Sequence, residues 1–200
     1  MSRFKLRIDG PSGKIETVIT DPGPTRRGLA LIAHPHPLHG GTLDNKVVTT
    51  IASALYEQGY VAVRPNFRGV GLSEGEYDHG EGEVADMLAV LSFVRERYPD
   101  LPLVLAGFSF GAAVQSRVSE IARPKQLLLV GPAVNLFKMG TAPPHTLVIH
   151  GEHDELVPID KVRAWSAQYG VTLAVVRDAD HFFHKKLSQL KQHILELCPC

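Results

Sequence analysis

Ser109 lies in the pentapeptide Gly107-Phe108-Ser109-Phe110-Gly111, which follows an apolar run and precedes small residues with a helical pattern. A strand, a tight turn and a helix in that order place a serine hydroxyl at the carboxyl end of the strand. A side chain is tolerated in this strained turn because glycines lie two residues to either side. An ordinary glycine-rich turn with a capping serine is the alternative, but the pattern favours a nucleophile.

A serine hydroxyl is a poor nucleophile near neutral pH and needs a base, a role that imidazole fills because it both takes and returns a proton. His181, in the segment 178–183, follows an apolar run that ends near Val176, and we predict that it is this base. His184 is the competing histidine. We expect His184 in or near a final helix, where a surface position is the ordinary outcome.

Asp154 is the predicted acid partner of His181. It lies in the segment 151–158, just after an apolar run that ends at His150. A buried carboxylate that accepts the second imidazole N–H fixes the tautomer of the base and stabilises the imidazolium. The ordinary alternatives for such an aspartate are a solvated loop carboxylate or a helix N-cap. The nearby acids that compete for the role are Glu152, Glu155 and Asp160.

The oxyanion of a tetrahedral intermediate needs two backbone donors. One is predicted to be the N–H of Phe110, which follows the nucleophile and starts the helix. The other must come from the loop after Ala33, in which Pro35 and Pro37 have no N–H to donate. His36 is the best-placed donor of that loop. The alternatives are Leu38, Gly40 and Gly41.

The same loop contains His34, His36 and His39, which raises a metal site as an alternative. Spacings of two and three residues with intervening prolines do not present ligands on one helix face. We therefore predict no metal and no cofactor. Cys198 and Cys200 lack Cys or His partners at metal spacing, and we expect a frayed, reduced tail there.

An initial hairpin followed by repeated strand–helix alternation positions these side chains. Parallel neighbours need crossover helices, so this alternation predicts a mostly parallel, doubly wound sheet. Ser109, Asp154 and His181 all follow strands, at the edge where such sheets bind ligands. The predicted strands are 4–9, 14–20, 29–33, 60–63, 101–106, 126–130, 146–150 and 171–176, and the predicted helices are 44–57, 81–97, 110–122, 159–169 and 185–197.

Composition argues against several classes of protein. The length of 200 residues suits one domain, residues 1–200, with helices on both faces of a sheet. Lys plus Arg and Asp plus Glu number 21 each, so no net field favours nucleic acid or an anionic membrane. The sequence shows neither a secretion signal nor an apolar run long enough for a membrane span, and we expect a cytoplasmic protein.

With these motifs in view, the chain resembles the α/β-hydrolase superfamily over nearly its whole length. The resemblance rests on the segments 66–73, 107–111, 151–158 and 180–181. Within the superfamily, the chain looks most like compact bacterial serine hydrolases marked by two motifs. The first, His-Pro-His-Pro-Leu-x-Gly-Gly-x-x-x-Asn-Lys, is matched by residues 34–46, and the second, Gly-Ala-Asp-His-Phe-Phe, is matched by residues 178–183 with Asp178 in place of the glycine.

This resemblance implies an eight-stranded α/β-hydrolase sheet whose second strand is antiparallel, in agreement with the opening hairpin. Relatives that resemble dienelactone hydrolase use a cysteine nucleophile, so Ser109 argues against that chemistry. Many members insert a helical lid where this chain has only residues 131–145. We therefore expect no lid and an open, shallow site, with Val134, Leu136 and Phe137 forming either a short flap or local packing.

The predicted function is that of a serine carboxylesterase-type hydrolase, which cleaves small carboxylic esters or thioesters through an acyl-enzyme. The expected partner is a small-molecule ester. An acyltransferase or a peptidase using the same triad, or a binding protein that has lost catalysis, are the alternatives. The residues expected to form a small apolar substrate patch are Leu38, Leu72, Phe110 and Phe182.

Overall fold

The computed structural model describes residues 2–198, in which eight strands form one sheet. The order across the sheet is β1-β2-β4-β3-β5-β6-β7-β8, with β2 antiparallel to both neighbours and β3 to β8 mutually parallel. The predicted mostly parallel sheet opened by an antiparallel hairpin is confirmed. The strands are β1 (Ser2–Gly10), β2 (Gly13–Asp21), β3 (Gly28–Ala33), β4 (Tyr60–Pro65), β5 (Leu103–Phe108), β6 (Gln126–Val130), β7 (Thr146–Gly151) and β8 (Thr172–Val176).

Helices cover both faces of the sheet. The α-helices of the described chain are α1 (Lys46–Glu57), α2 (Glu81–Arg97), α3 (Phe110–Ala122), α4 (Ile159–Tyr169) and α5 (Leu187–Leu197). α1 and α5 pack on one face, where Ile51 and Leu55 are fully buried, and α2, α3 and α4 pack on the other, where Met87 and Val118 are fully buried. No helix within residues 2–198 combines the length and the apolarity that crossing a bilayer demands.

The carboxyl ends of β3 to β8 meet at one edge of the sheet because these strands run in the same direction. Strands β3, β5 and β7 are buried along their whole length, so their side chains fix the sheet between the helix layers. The loops that carry polar side chains leave this edge. They comprise residues 34–45, 66–80, 131–145, 152–158 and 177–186, together with the turn at Ser109.

Several element boundaries differ from the sequence prediction. Strand β5 runs to Phe108 rather than Ala106, so it reaches the turn itself. Helix α1 begins at Lys46 rather than at position 44, because Asn45 Oδ1 caps it by accepting the N–H of Val47 at 2.9 Å. Helix α5 begins two residues late because Lys185 has a φ of 59°, which lies outside the helical region.

The expectation of a frayed tail is wrong for Cys198. This cysteine is fully buried at the end of α5, in the apolar cluster between the sheet and helices α1 and α5. Its Sγ donates to Gln126 Oε1 at 3.0 Å. The thiol therefore joins the last helix to strand β6. Cys200 lies outside the described residues.

Candidate active site

Ser109 occupies the turn between β5 and α3 with φ 56° and ψ −115°, a conformation that few side chains adopt. Its N–H donates to the carbonyl of Val130, at the end of the neighbouring strand β6, at 3.0 Å. A Cβ on Gly107 would overlap with the backbone of Gly111, so the turn closes only with glycine there. These constraints hold the serine hydroxyl at the carboxyl edge of the sheet.

His181 lies beside this serine. Its Nε2 is 3.0 Å from Ser109 Oγ, and its ring packs against Phe108 with a centroid separation of 5.1 Å. His184, the competing histidine, is instead exposed, and its Nδ1 lies 2.6 Å from a carboxylate oxygen of Asp180. The structure therefore brings His181 to the serine. His184 instead binds the Asp180 carboxylate, four residues earlier in the chain.

Asp154 completes the line of side chains, with Oδ2 2.6 Å from His181 Nδ1. Its other oxygen accepts the N–H of Leu156 at 2.9 Å and that of Val157 at 2.8 Å. Burial opposes ionisation of this carboxyl, but the hydrogen bonds from His181 and Val157 outweigh it and hold the pKa of Asp154 below its usual value. Of the candidate acids, Asp154 is the one bonded to the imidazole.

His150 is a neighbour of this carboxylate that sequence analysis missed. It is fully buried in β7, and its Nε2 lies 2.8 Å from the carbonyl oxygen of Val157 and 3.4 Å from Asp154 Oδ2. Burial lowers the pKa of His150, so the neutral ring donates its Nε2–H to the loop that holds the aspartate. In the sequence it was simply the last residue of an apolar run, with nothing to mark its partner.

The start of helix α3 lies directly on the end of strand β3. A Cβ on Gly111 would overlap with the carbonyl oxygens of Ala33 and His34, so glycine permits backbone-to-backbone contact there. This contact puts the loop after β3 beside the helix start, where the rings of His36 and Phe110 have centroids 5.1 Å apart. The N–H groups of Phe110 and His36 find no acceptor within residues 2–198 and are free to bind an oxyanion.

Two of the alternative donors in this loop are already engaged. The N–H of Leu38 donates to His36 Nδ1 at 3.2 Å, and that of Gly41 donates to the carbonyl of His36 at 3.1 Å. Gly40, in the left-handed region with a φ of 77°, has no acceptor in the described chain. Of the four candidate donors in this loop, His36 and Gly40 therefore keep an N–H without an acceptor in the described chain.

His34, at the carboxyl end of β3, is fully buried, and both of its ring nitrogens are engaged. Nδ1 lies 2.7 Å from the Pro35 carbonyl, to which it donates, and Nε2 accepts the N–H of Phe67 at 2.9 Å. Burial lowers the pKa of His34 to about 4, so the ring is neutral at pH 7. These bonds join the loops after β3 and β4 and leave His34 no lone pair for a metal.

One group of side chains within residues 2–198 brings three possible metal-ligand atoms within 4.8 Å of one another, namely Glu152, His153 and Asp178. The Glu152 carboxylate already accepts the N–H of Asp178 at 3.0 Å, and Lys186 Nζ lies 3.7 Å from the Asp178 carboxylate. The carboxylates of Glu152 and Asp178 thus each have a partner within the protein.

An open cleft of about 480 Å³ lies on the His181 side of the serine. It is bordered by loops after β7 and β8 and combines polar side chains with two apolar ones. The lining residues are His153, Glu155, Leu156, Asp178, Asp180, His181, Phe182 and His184.

Comparison with known proteins places this arrangement in a family. A family model described as serine aminopeptidase, S33, matches residues 36–145. The protein RP471 of Rickettsia prowazekii (strain Madrid E) is 31% identical over 206 residues, covering 95% of this chain and 86% of the relative. The chain belongs to the α/β-hydrolase family.

Solved structures agree with this assignment. XC6422 from Xanthomonas campestris, an α/β serine hydrolase without a lid, has 38% identity and a TM-score of 0.94 over 98% of this chain and 93% of its own. An α/β serine hydrolase homologue from Coxiella burnetii has 41% identity and a TM-score of 0.90 over 98% of this chain and 97% of its own. This α/β-hydrolase therefore shares the fold along nearly its whole described length.

In this α/β-hydrolase, the segment between β6 and β7 contains no helix among its residues 131–145. It runs along α3, where the N–H of Gly140 donates to Ser116 Oγ at 2.8 Å. Phe137 packs edge-on against Phe110 with centroids 5.0 Å apart, whereas Leu136 is 56% exposed. The Phe137 ring is thus part of local packing, one of the two expectations for it.

The predicted apolar patch is only partly assembled. Phe182 is half exposed and lies edge-on to the ring of His181, with centroids 5.1 Å apart. Leu38 and Leu72 are largely exposed. Phe110 was wrongly included, because it is 1% exposed and its ring belongs to the core below the loop after β3.

Proposed function

We propose that this hydrolase cleaves small carboxylic esters or thioesters through an acyl-enzyme formed on Ser109, with His181 as general base and Asp154 as its acid partner. The observation that carries this proposal is the unbroken hydrogen-bonded line of these three side chains. Its two links measure 2.6 Å and 3.0 Å, and the serine is held in the strained turn. Neither link requires a cofactor.

Acylation uses each group in turn. Ser109 Oγ attacks the ester carbonyl carbon while His181 Nε2 takes the hydroxyl proton, and the Asp154 carboxylate stabilises the imidazolium that results. The N–H groups of Phe110 and His36 donate to the oxyanion of the tetrahedral intermediate. On collapse, His181 returns the proton to the leaving alcohol or thiol, and the acyl group stays on Ser109.

Deacylation repeats the sequence with water. His181 takes a proton from a water molecule that attacks the acyl carbonyl, the same donors bind the new oxyanion, and the serine leaves with the proton from His181. The open cleft beside His181 provides access for that water. A single domain without a lid, residues 1–200, suffices for both half-reactions, because every group involved lies on the carboxyl edge of one sheet.

A fluorophosphonate probe tests the nucleophile. Wild-type protein should be labelled once, and Ser109→Ala should lose labelling and lower kcat on p-nitrophenyl acetate by roughly 10³-fold or more, because the triad acts as a unit. Circular dichroism of both proteins controls for folding. Labelling of the alanine variant at the wild-type rate would refute the assignment, and complete inertness of the wild type would favour a binding protein.

A peptidase is the second candidate, favoured by the family model's description as serine aminopeptidase. The same triad attacks amides when the leaving amine is well positioned. Aminoacyl p-nitroanilides, p-nitrophenyl esters and acyl thioesters assayed side by side separate the two. We expect esters and thioesters to be hydrolysed faster; anilide turnover that exceeds ester turnover would replace the proposal with the peptidase, and transfer to an added alcohol in preference to water would replace it with an acyltransferase.

A further inference from the structure

The oxyanion loop, residues 34–41, is folded around a single residue, His36. The carbonyl of His36 accepts the N–H groups of His39 and Gly41, each at 3.1 Å, while its ring Nδ1 accepts that of Leu38 at 3.2 Å. Every donor between Pro37 and Gly41 except Gly40 is thus bonded to His36. Since proline lacks an N–H, these bonds determine the position of the His36 backbone.

The ring of His36 has a defined tautomer in this arrangement. Nδ1 accepts the N–H of Leu38, so the neutral ring carries its hydrogen on Nε2, which donates to Tyr77 Oη at 3.2 Å. Burial, with the nearby His39 and His79, lowers the pKa of His36 and keeps Nδ1 free to accept. The side chain therefore caps the short 3-10 turn at Pro37–His39.

Aromatic rings surround the imidazole on the side facing the helix start. Tyr77, Phe110 and Phe137 have centroids 4.9, 5.1 and 5.4 Å from that of His36. They come from three separate elements: the loop before α2, the first residue of α3 and the segment between β6 and β7. The ring thus links the loop to the helix that supplies the other oxyanion donor.

We propose that the His36 side chain is a positioning residue, whose Nδ1 holds the loop so that the His36 N–H points at the oxyanion. This inference rests on the proposed function, since the oxyanion exists only if Ser109 attacks a carbonyl. It separates two roles in one residue: the backbone N–H touches the reacting oxygen, and the imidazole acts through Leu38.

Two substitutions separate the hydrogen bond from the packing. His36→Phe keeps a ring among Tyr77, Phe110 and Phe137 but has no acceptor, whereas His36→Asn loses the ring but places Oδ1 where a helix N-cap accepts the N–H two residues on. His145→Phe is the matched control, because it replaces an exposed imidazole outside this loop, at the amino end of β7.

We expect His36→Phe to lower kcat on p-nitrophenyl acetate by about 10- to 100-fold with KM nearly unchanged, because an oxyanion donor acts in the transition state. His36→Asn should recover most of that loss, and His145→Phe should resemble the wild type. Hydrogen exchange at the Leu38 amide, followed by NMR, should be slow in the wild type and in the Asn variant and fast in the Phe variant.

Equal losses of kcat in the Phe and Asn variants would overturn the inference and assign the ring a packing role. Rapid Leu38 exchange in His36→Phe with unchanged kcat would also overturn it, because the bond would then not serve catalysis. A wild-type protein without turnover or fluorophosphonate labelling would overturn the proposed function first and this inference with it. Normal wild-type turnover with an unimpaired Phe variant would overturn this inference alone.

Discussion

Two groups of histidines at the carboxyl edge of the sheet differ in their hydrogen-bond partners. On the side of β7 and β8, His181 lies between a carboxylate, at 2.6 Å, and a hydroxyl, at 3.0 Å. On the side of β3, His34 and His36 bond to backbone groups and to the Tyr77 hydroxyl. We call the region around His181 the triad side and the region around His34 and His36 the oxyanion side.

The difference shows how the partner decides what an imidazole does. A carboxylate stabilises the imidazolium, so a histidine beside it can take and return a proton. A ring nitrogen that accepts a backbone N–H loses that bond when it is protonated. Such a histidine therefore stays neutral and holds the backbone in place. In the proposed mechanism, histidine therefore transfers a proton on the triad side and positions the backbone on the oxyanion side.

Removing the Asp154 carboxylate should cause the largest loss of activity. Asp154→Asn should lower kcat by about 10³- to 10⁴-fold, because the amide favours the wrong tautomer of His181. Asp160→Asn is the control, since this exposed acid pairs with Arg163, at 3.2 Å, and should leave kcat unchanged. Steady-state kinetics on p-nitrophenyl acetate measure both, and a loss under tenfold in Asp154→Asn would remove that residue from the triad.

Acid should destabilise the oxyanion side through His34. The folded-state pKa of His34 is lowered from 6.5 to about 4, so its contribution to stability is complete above pH 6.5 and is lost as the pH falls towards 4. Between pH 7 and pH 5 this amounts to about 2 kcal/mol of the free energy of unfolding.

Urea unfolding of the wild type and of His34→Gln at the two pH values isolates this term, because the other titrating groups are common to both proteins. The glutamine variant should be less stable at pH 7 and lose about 2 kcal/mol less on acidification. Equal losses of unfolding free energy in the two proteins would show that folding does not lower the pKa of His34.

The preference for acyl chain length should reflect an uncovered site. Residues 131–145 form no helix that could cover the acyl group of a bound substrate. Each buried methylene adds about 0.8 kcal/mol, or about fourfold in kcat/KM, only while it has a wall to touch. We expect kcat/KM to peak at roughly two to six acyl carbons at that increment and then to level or fall. A steady rise to long chains, or a jump above the solubility limit of the substrate, would contradict an open site.

Chelation should have the smallest effect, namely none, because both nitrogens of His34 are engaged in bonds within the protein. Activity measured before and after dialysis against EDTA tests this directly. Loss of turnover that returns with zinc would turn the oxyanion side, or the surface group of Glu152, His153 and Asp178, into a metal site.

The sequence predicted side-chain chemistry better than backbone chemistry. Ser109, Asp154 and His181 each follow an apolar run, and parallel topology was enough to expect them at one edge. The sequence spacing could not show which N–H group in the loop after β3 stays free. That depends on the hydrogen bonds that Leu38 and Gly41 donate to His36.

Burial and contacts between residues distant in the sequence could not be predicted either. His150 and Tyr77 act through partners 4 to 41 residues away in the chain, so their roles follow from packing. In the sequence prediction, Phe110 supplied an oxyanion donor through its backbone N–H and a substrate contact through its ring, and the spacing did not show which way the ring points. The structure buries that ring.

The glycine at position 111 also bears on how this enzyme can be altered. Because a Cβ at this position would overlap with the carbonyl oxygens of Ala33 and His34, glycine permits the close approach of the helix start to the neighbouring strand. The cleft residues other than His181 lie on the loops after β7 and β8, so they can be exchanged to accept new substrates while this contact is kept.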